Sequence, residues 1–91
     1  MILSGLYRHP QRELDYLDGS GSNDGDGTIT SYAWTQIFGK SVRLNNADSA
    51  VANFRAPRVR RNTTATLVFE LTVTDDQGAT ASSQVTVYVT R

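Results

Sequence analysis

Residues 65–90 read ATLVFELTVTDDQGATASSQVTVYVT, and this stretch decides the fold. Leu67, Phe69, Leu71 and Val73 alternate with Val68, Glu70, Thr72 and Thr74. A period of two in residues that are mostly apolar or β-branched marks a strand with one buried face. Asp75-Asp76-Gln77-Gly78 supplies turn residues that end the strand and reverse the chain. Val85, Val87 and Val89 then alternate with Gln84, Thr86, Tyr88 and Thr90, which makes a second strand. A two-stranded hairpin is marginal in water on its own. The rest of the chain is therefore expected to lay a second layer over its apolar face.

Upstream, residues 28–36 (TITSYAWTQ) form the next expected strand. Tyr32 and Trp34 share a face while Ile29 has the opposite parity, so a bulge is expected near Thr30 and Ser31. Trp34 is the sole tryptophan and the expected centre of the core. Residues 37–40 read as a turn around Gly39. Residues 41–44 (SVRL) and 50–54 (AVANF) read as short strands, separated by a turn at Asn45-Asn46-Ala47-Asp48. Residues 55–64 (RAPRVRRNTT) read as a loop, because Pro57 breaks pairing and Asn62-Thr63-Thr64 is turn-like. Residues 18–27 (DGSGSNDGDG) are the longest irregular stretch. The N-terminus is less regular. Ile2, Leu3, Leu6 and Tyr7 suggest a short first strand, which Pro10 confines to an edge or ends. In residues 11–17, Leu14 and Tyr16 fall on one face and Glu13, Asp15 and Leu17 on the other, without a clean apolar parity. Short strands between turns, with no helical period, predict an all-β antiparallel sandwich.

Composition agrees with one soluble globular domain: 91 residues, 38% hydrophobic and 20% charged. There is no cysteine, so no disulfide framework, thiol nucleophile or cysteine zinc site is expected. Nine basic and nine acidic side chains cancel, so bulk charge draws the chain to neither nucleic acid nor anionic lipid. The apolar start at residues 1–7 lacks a basic segment before it and is too short for a signal peptide, and no stretch is long enough to span a membrane. Two expectations follow: an excised module of a longer exported protein, or a complete small protein that reaches its site without a signal.

Four ordered motifs then carry a family resemblance: Leu17-Asp18-Gly19-Ser20-Gly21-Ser22, Asp24-Gly25-Asp26-Gly27, Ile29-Thr30-Ser31-Tyr32-Ala33-Trp34 and Leu71-Thr72-Val73-Thr74-Asp75-Asp76-Gln77-Gly78-Ala79. Together they resemble the PKD-type (polycystic kidney disease) immunoglobulin-like domains. The resemblance is to the branch with a YxW strand known from bacterial exported proteins and KIAA0319-like animal receptors. It covers residues 17–90, roughly. It implies an immunoglobulin-like sandwich of about seven strands with Trp34 between the sheets, and a non-catalytic role. Residues 1–16 depart from the family pattern, and Asp15 stands where the family is apolar. They are expected to be an atypical N-terminal segment, a first strand or a docking arm, ahead of a PKD-like sandwich over 17–91. The loop after Pro57 is also more basic than in the family.

Asp24, Asp26 and Asp75 are candidate calcium ligands, because Ca²⁺ takes several hard oxygens and antiparallel pairing of 28–36 with 67–74 would bring two acidic loops to one end. The resemblance adds that some PKD-like domains bind calcium at this end. The competing reading is ordinary turn chemistry. Arg58, Arg60 and Arg61, with Arg55, form a candidate surface for an anion or acidic partner, against a plain solvated loop. No reading element for sequence-specific nucleic acid accompanies them. Asn62-Thr63-Thr64 has the form of a glycosylation sequon. His9, the sole histidine, has no patterned neighbours and is expected to be solvent-exposed. No serine has a base partner, and a chain this short would struggle to wall a glycosidase cleft, so no catalysis is expected.

The expected role is a non-enzymatic spacer, adhesion or binding unit of an extracellular or cell-surface protein, facing a protein or polysaccharide surface, with calcium as the possible cofactor. The alternative is a small structural protein, such as a virion-surface decoration protein. It would dock or oligomerise through residues 1–16 or an edge strand.

Overall fold

In the computed structural model, residues 7–10 (backbone only), 15–21 and 28–90 are described. The alternation in the last third of the chain becomes the central hairpin. Strands β5 (Thr64–Asp75) and β6 (Thr80–Thr90) pair without a break from Thr64↔Thr90 to Thr74↔Thr80. Leu67, Phe69, Leu71 and Val73 are fully buried from β5, and Val87 and Val89 are buried from β6. Each such side chain contributes about 1.5–3 kcal/mol by leaving water.

Strand β3 (Ile29–Phe38) pairs with the other side of β5, from Ile29↔Asp75 to Phe38↔Val68. Its register shifts between Ile29 and Ser31, where the parity of Ile29 calls for a bulge, and again between Gln36 and Phe38. The second shift carries the strand through residues 37 and 38, which the sequence suggests are turn. The Gln36 side chain holds this bulge: Nε2 donates to the carbonyls of Phe38 (3.0 Å) and Lys40 (2.7 Å), and Oε1 accepts from the Val42 amide (3.0 Å). Gly39 then turns with φ of 99°, and any Cβ there would run into the Thr66 carbonyl oxygen and stand 2.8 Å from Leu67 Cδ2.

The second sheet is built from β1 (Tyr7–Pro10), β2 (Asp15–Asp18) and β4 (Val51–Phe54), in the order β1-β2-β4. β1 is an edge strand, the position that Pro10, without an amide donor, can occupy. In β2, Asp15 and Leu17 are buried and Tyr16, of the other parity, is half-buried. The strand expected over residues 41–44 does not form. The Val42 amide is taken by Gln36, Val42 and Leu44 pack partly buried against the core, and pairing is reduced to a single bridge, Asn45↔Asn53. Among the described residues there are six strands, in the two antiparallel sheets of the expected sandwich.

Leu17, Ala52 and Phe54 from one sheet meet Trp34 and the buried face of the hairpin from the other. The Phe54 and Phe69 rings stand 4.9 Å apart at 37°, within the range of favourable tilted pairs. Trp34 is 3% exposed and doubly tied to the connection before β4: its amide donates to the Ala47 carbonyl (2.7 Å) and Nε1 to that of Ser49 (3.1 Å). The first bond also covers part of the free edge of β3, and β1 comes against β6. No helix among the described residues is long and apolar enough to cross a membrane.

The strand directions define two ends of a body measuring 48 × 20 × 19 Å. One end gathers the start of β1, the end of β2, the start of β3 and the β5–β6 turn. The opposite end gathers the end of β3, the end of β4, the start of β5 and the end of β6.

Candidate functional site

The β5–β6 turn is organised by Asp75. The sequence Asp-Asp-Gln-Gly places a carboxylate where a short side chain can reach amides two and four residues on. Asp75 Oδ1 accepts from the amides of Gln77 (2.9 Å) and Ala79 (2.8 Å), and its backbone amide donates to the Ala79 carbonyl (2.9 Å). Gly78 completes the turn at φ of 82°. The start of β3 is stitched to this turn. Asp76 donates its amide to the Thr28 carbonyl (2.9 Å), Thr28 returns its amide to Asp76 Oδ1 (3.3 Å), and Thr30 Oγ1 lies 3.1 and 3.2 Å from the carbonyls of Thr74 and Asp75. At the end of β2, Asp18 Oδ1 accepts from the amide (2.9 Å) and hydroxyl (2.6 Å) of Ser20.

The antiparallel pairing of β3 with β5 thus brings the start of one to the end of the other, as the calcium reading requires. Asp24 and Asp26 lie outside the described residues. Asp75 is 8% exposed, with one carboxylate oxygen engaged by the two turn amides. Among the described residues there is no group of three or more His, Cys, Asp or Glu placed to hold a metal ion. Thr30 is the residue at this end that sequence reasoning passes over. A threonine beside a bulge gives no signal until the bulge is known to face two carbonyls.

The opposite end is basic. Arg55, Arg58, Arg60 and Arg61 are all exposed on the connection between β4 and β5. A turn holds this loop in place: the Thr63 amide (3.1 Å) and hydroxyl (2.6 Å) both donate to the Arg60 carbonyl, with Asn62 at φ of 64°. Pro57, Arg58 and Val59 line an open groove of about 360 Å³ with Val89 and Thr90 of β6. Lys40 and Arg43, exposed on the connection after β3, belong to the same end. Their contribution is invisible in sequence because only the pairing of β3 and β5 brings residues 40–43 level with residues 55–61. His9 has its backbone in β1, and its side chain lies outside the described features.

The sandwich, its YxW strand and the Asp-turn between β5 and β6 are now placed, and comparison with known proteins decides the family. The sequence profile of the K319L-like PKD domain matches residues 8–89. The chain belongs to the K319L-like PKD domain family. Over 87 residues it is 39% identical to the dyslexia-associated protein KIAA0319 homolog of Rattus norvegicus, covering 88% of this chain and 8% of that protein. In structure it is similar to the PKD domain of KIAA 1837 (TM-score 0.71, 39% identity, 87% of this chain and 72% of that one). It is also similar to the PKD1 domain of Vibrio anguillarum Epp (TM-score 0.61, 25% identity, 94% and 89%). The PKD match starts at residue 8, so it takes in β1 and β2 as well as the motifs from Leu17 onward. The chain spans under a tenth of the length of its KIAA0319 relatives. None of these three names points to a virion surface, so the decoration-protein alternative gains no support from them.

Proposed function

We propose that this PKD domain is a non-catalytic spacer module of an extracellular or cell-surface protein. One observation carries the spacer reading. β1 begins at the acidic end beside Asp18 and β6 finishes at the basic end beside Pro57–Val59, so the paired backbone passes from one end of a 48 Å body to the other. A module of this kind sets a fixed distance between whatever precedes and follows it. The continuous pairing of β5 with β6 and the clamp on Trp34 favour rigidity over that span. Membership of the PKD family supports a non-enzymatic role, and the KIAA0319 relatives support a place in a longer chain.

The test is a distance measurement. With one dye ahead of β1 and a second after Thr90, energy transfer should report a narrow distance distribution that does not change with salt. A broad distribution, scaling as a flexible chain at about 5–6 Å × √n, would remove the spacer reading.

A further inference from the structure

The formal charge of the chain is zero, yet the charges are sorted along its long axis. Apart from Arg8 in β1, every described cation lies towards one end: Lys40, Arg43, Arg55, Arg58, Arg60 and Arg61, all exposed. Asp76, exposed in the β5–β6 turn, and Asp18 at the end of β2 lie at the other end. Asp48 joins them, exposed in the 46–50 turn, which is tied to that end by the Gly19 amide bonding the Ala50 carbonyl (2.8 Å). Glu70 lies midway along β5, opposite Thr35 and Gln84, and the described acid level with the cations is Asp15, which is buried. Six exposed cations gathered at one end attract an anionic surface at short range.

We propose that the basic end, centred on Arg58, Arg60 and Arg61, docks on the acidic end of a second copy of this domain, so that copies stack end to end. Charge complementarity selects this occupant. The second copy offers carboxylates at its opposite end, so the two faces match in sign. The contact is head-to-tail, and each added copy leaves a basic end and an acidic end free for the next, which gives open linear stacks rather than closed dimers. The area is small. A 20 × 19 Å end offers roughly 400 Å² per partner, about half of the 800 Å² typical of a stable interface. Stacking of free copies is therefore weak, concentration-dependent and salt-sensitive. It goes beyond the spacer reading and does not rest on it.

Sedimentation velocity of the whole chain tests this. At about 0.01 M salt, where the Debye length is about 30 Å, the weight-average sedimentation coefficient should rise with concentration. In about 1 M salt, where the length falls to about 3 Å, it should stay at the monomer value. One variant carries R58Q, R60Q and R61Q, and removes the centre of the basic face. A second carries D48N and D76N, and weakens the acidic face, while the amide oxygen introduced by D76N still accepts from the Thr28 amide. Each alone should sediment as a monomer at low salt. Mixed, they should form a 1:1 pair that does not extend, because the first keeps only its acidic end and the second only its basic end. A third variant, R58K with R60K and R61K, keeps the charge and should stack like the wild type.

Wild-type chain that stays monomeric at low salt overturns the proposal. So does association that survives 1 M salt, or a mixture that fails to pair. Retention of a monomeric wild type on a sulfated-polysaccharide column, lost in the Arg→Gln variant, would overturn it in favour of a polyanion at the basic end.

Discussion

Asp75 is the residue where two readings of one side chain meet. A carboxylate in an acidic, glycine-rich region reads both as a cation ligand and as turn chemistry, and its Oδ1 accepts from the amides of Gln77 and Ala79. Asp75→Ala would leave two turn amides without that acceptor and cost about 1–3 kcal/mol. Asp75→Asn keeps an oxygen in place and should cost a fraction of that. Thermal melts check the difference, at about 4–8 °C per kcal/mol for a domain of this size. The loss should be equal in excess calcium and in excess chelator; a loss seen only with calcium would assign Asp75 to a cation instead. Two glycines give a second contrast. Gly39 and Gly78 both have positive φ, but a Cβ at Gly39 meets the Thr66 backbone while one at Gly78 meets open space. Gly78→Ala should cost only the left-handed backbone penalty of about 1–2 kcal/mol, and Gly39→Ala clearly more. Equal midpoints in chemical denaturation would refute the steric account.

At the scale of elements, legibility followed the simplicity of the pattern. The β5–β6 hairpin, the core position of Trp34 and the bulge after Ile29 could all be read, because alternation of side chains maps directly onto the two faces of a strand. Residues 41–44 misled for the same reason. Ser-Val-Arg-Leu alternates as a strand does, but a connection that tucks Val42 and Leu44 under the core alternates too. What separates the two is the Gln36 amide group, which captures the Val42 donor and has no periodic signature. β2 was obscured by Asp15, an acid on the face that Leu17 buries. Gln36 offers the test at this scale. Gln36→Ala removes three hydrogen bonds, and Gln36→Glu keeps the acceptor but turns a carboxylate oxygen towards the carbonyls of Phe38 and Lys40. We expect both to destabilise by about 1–3 kcal/mol, with the Glu variant no milder than the Ala variant. Faster hydrogen exchange at residues 39–42, with β6 unaffected, would localise the damage to the bulge. A Glu variant as stable as the wild type would refute this role.

For the whole molecule, topology determines what no single segment carries. The two sheets exchange strands along the chain, so β2 pairs with β4 and β3 with β5 across intervening segments. Closing such non-local pairs before they are rewarded by burial slows folding, and a sandwich of this kind is expected to refold in milliseconds to seconds. Stopped-flow refolding should show one exponential in that range; a microsecond phase carrying the full amplitude would contradict the topology. The separation of charge belongs to the same scale. Asp18, Asp48 and Asp76, like Lys40, Arg43 and Arg58, are scattered in sequence, and their spacing alone does not group them. The strand order alone sorts them to opposite ends.

The clamp on Trp34 has an optical consequence. The chain holds one indole, and that ring lies between the sheets with its N–H on the Ser49 carbonyl just ahead of β4. Emission on excitation at the red edge comes from this one site, shielded from water in the native state. Separation of either sheet exposes it. A single spectral shift therefore reports the loss of both layers at once, and a shift that came in two steps would show the sheets parting independently.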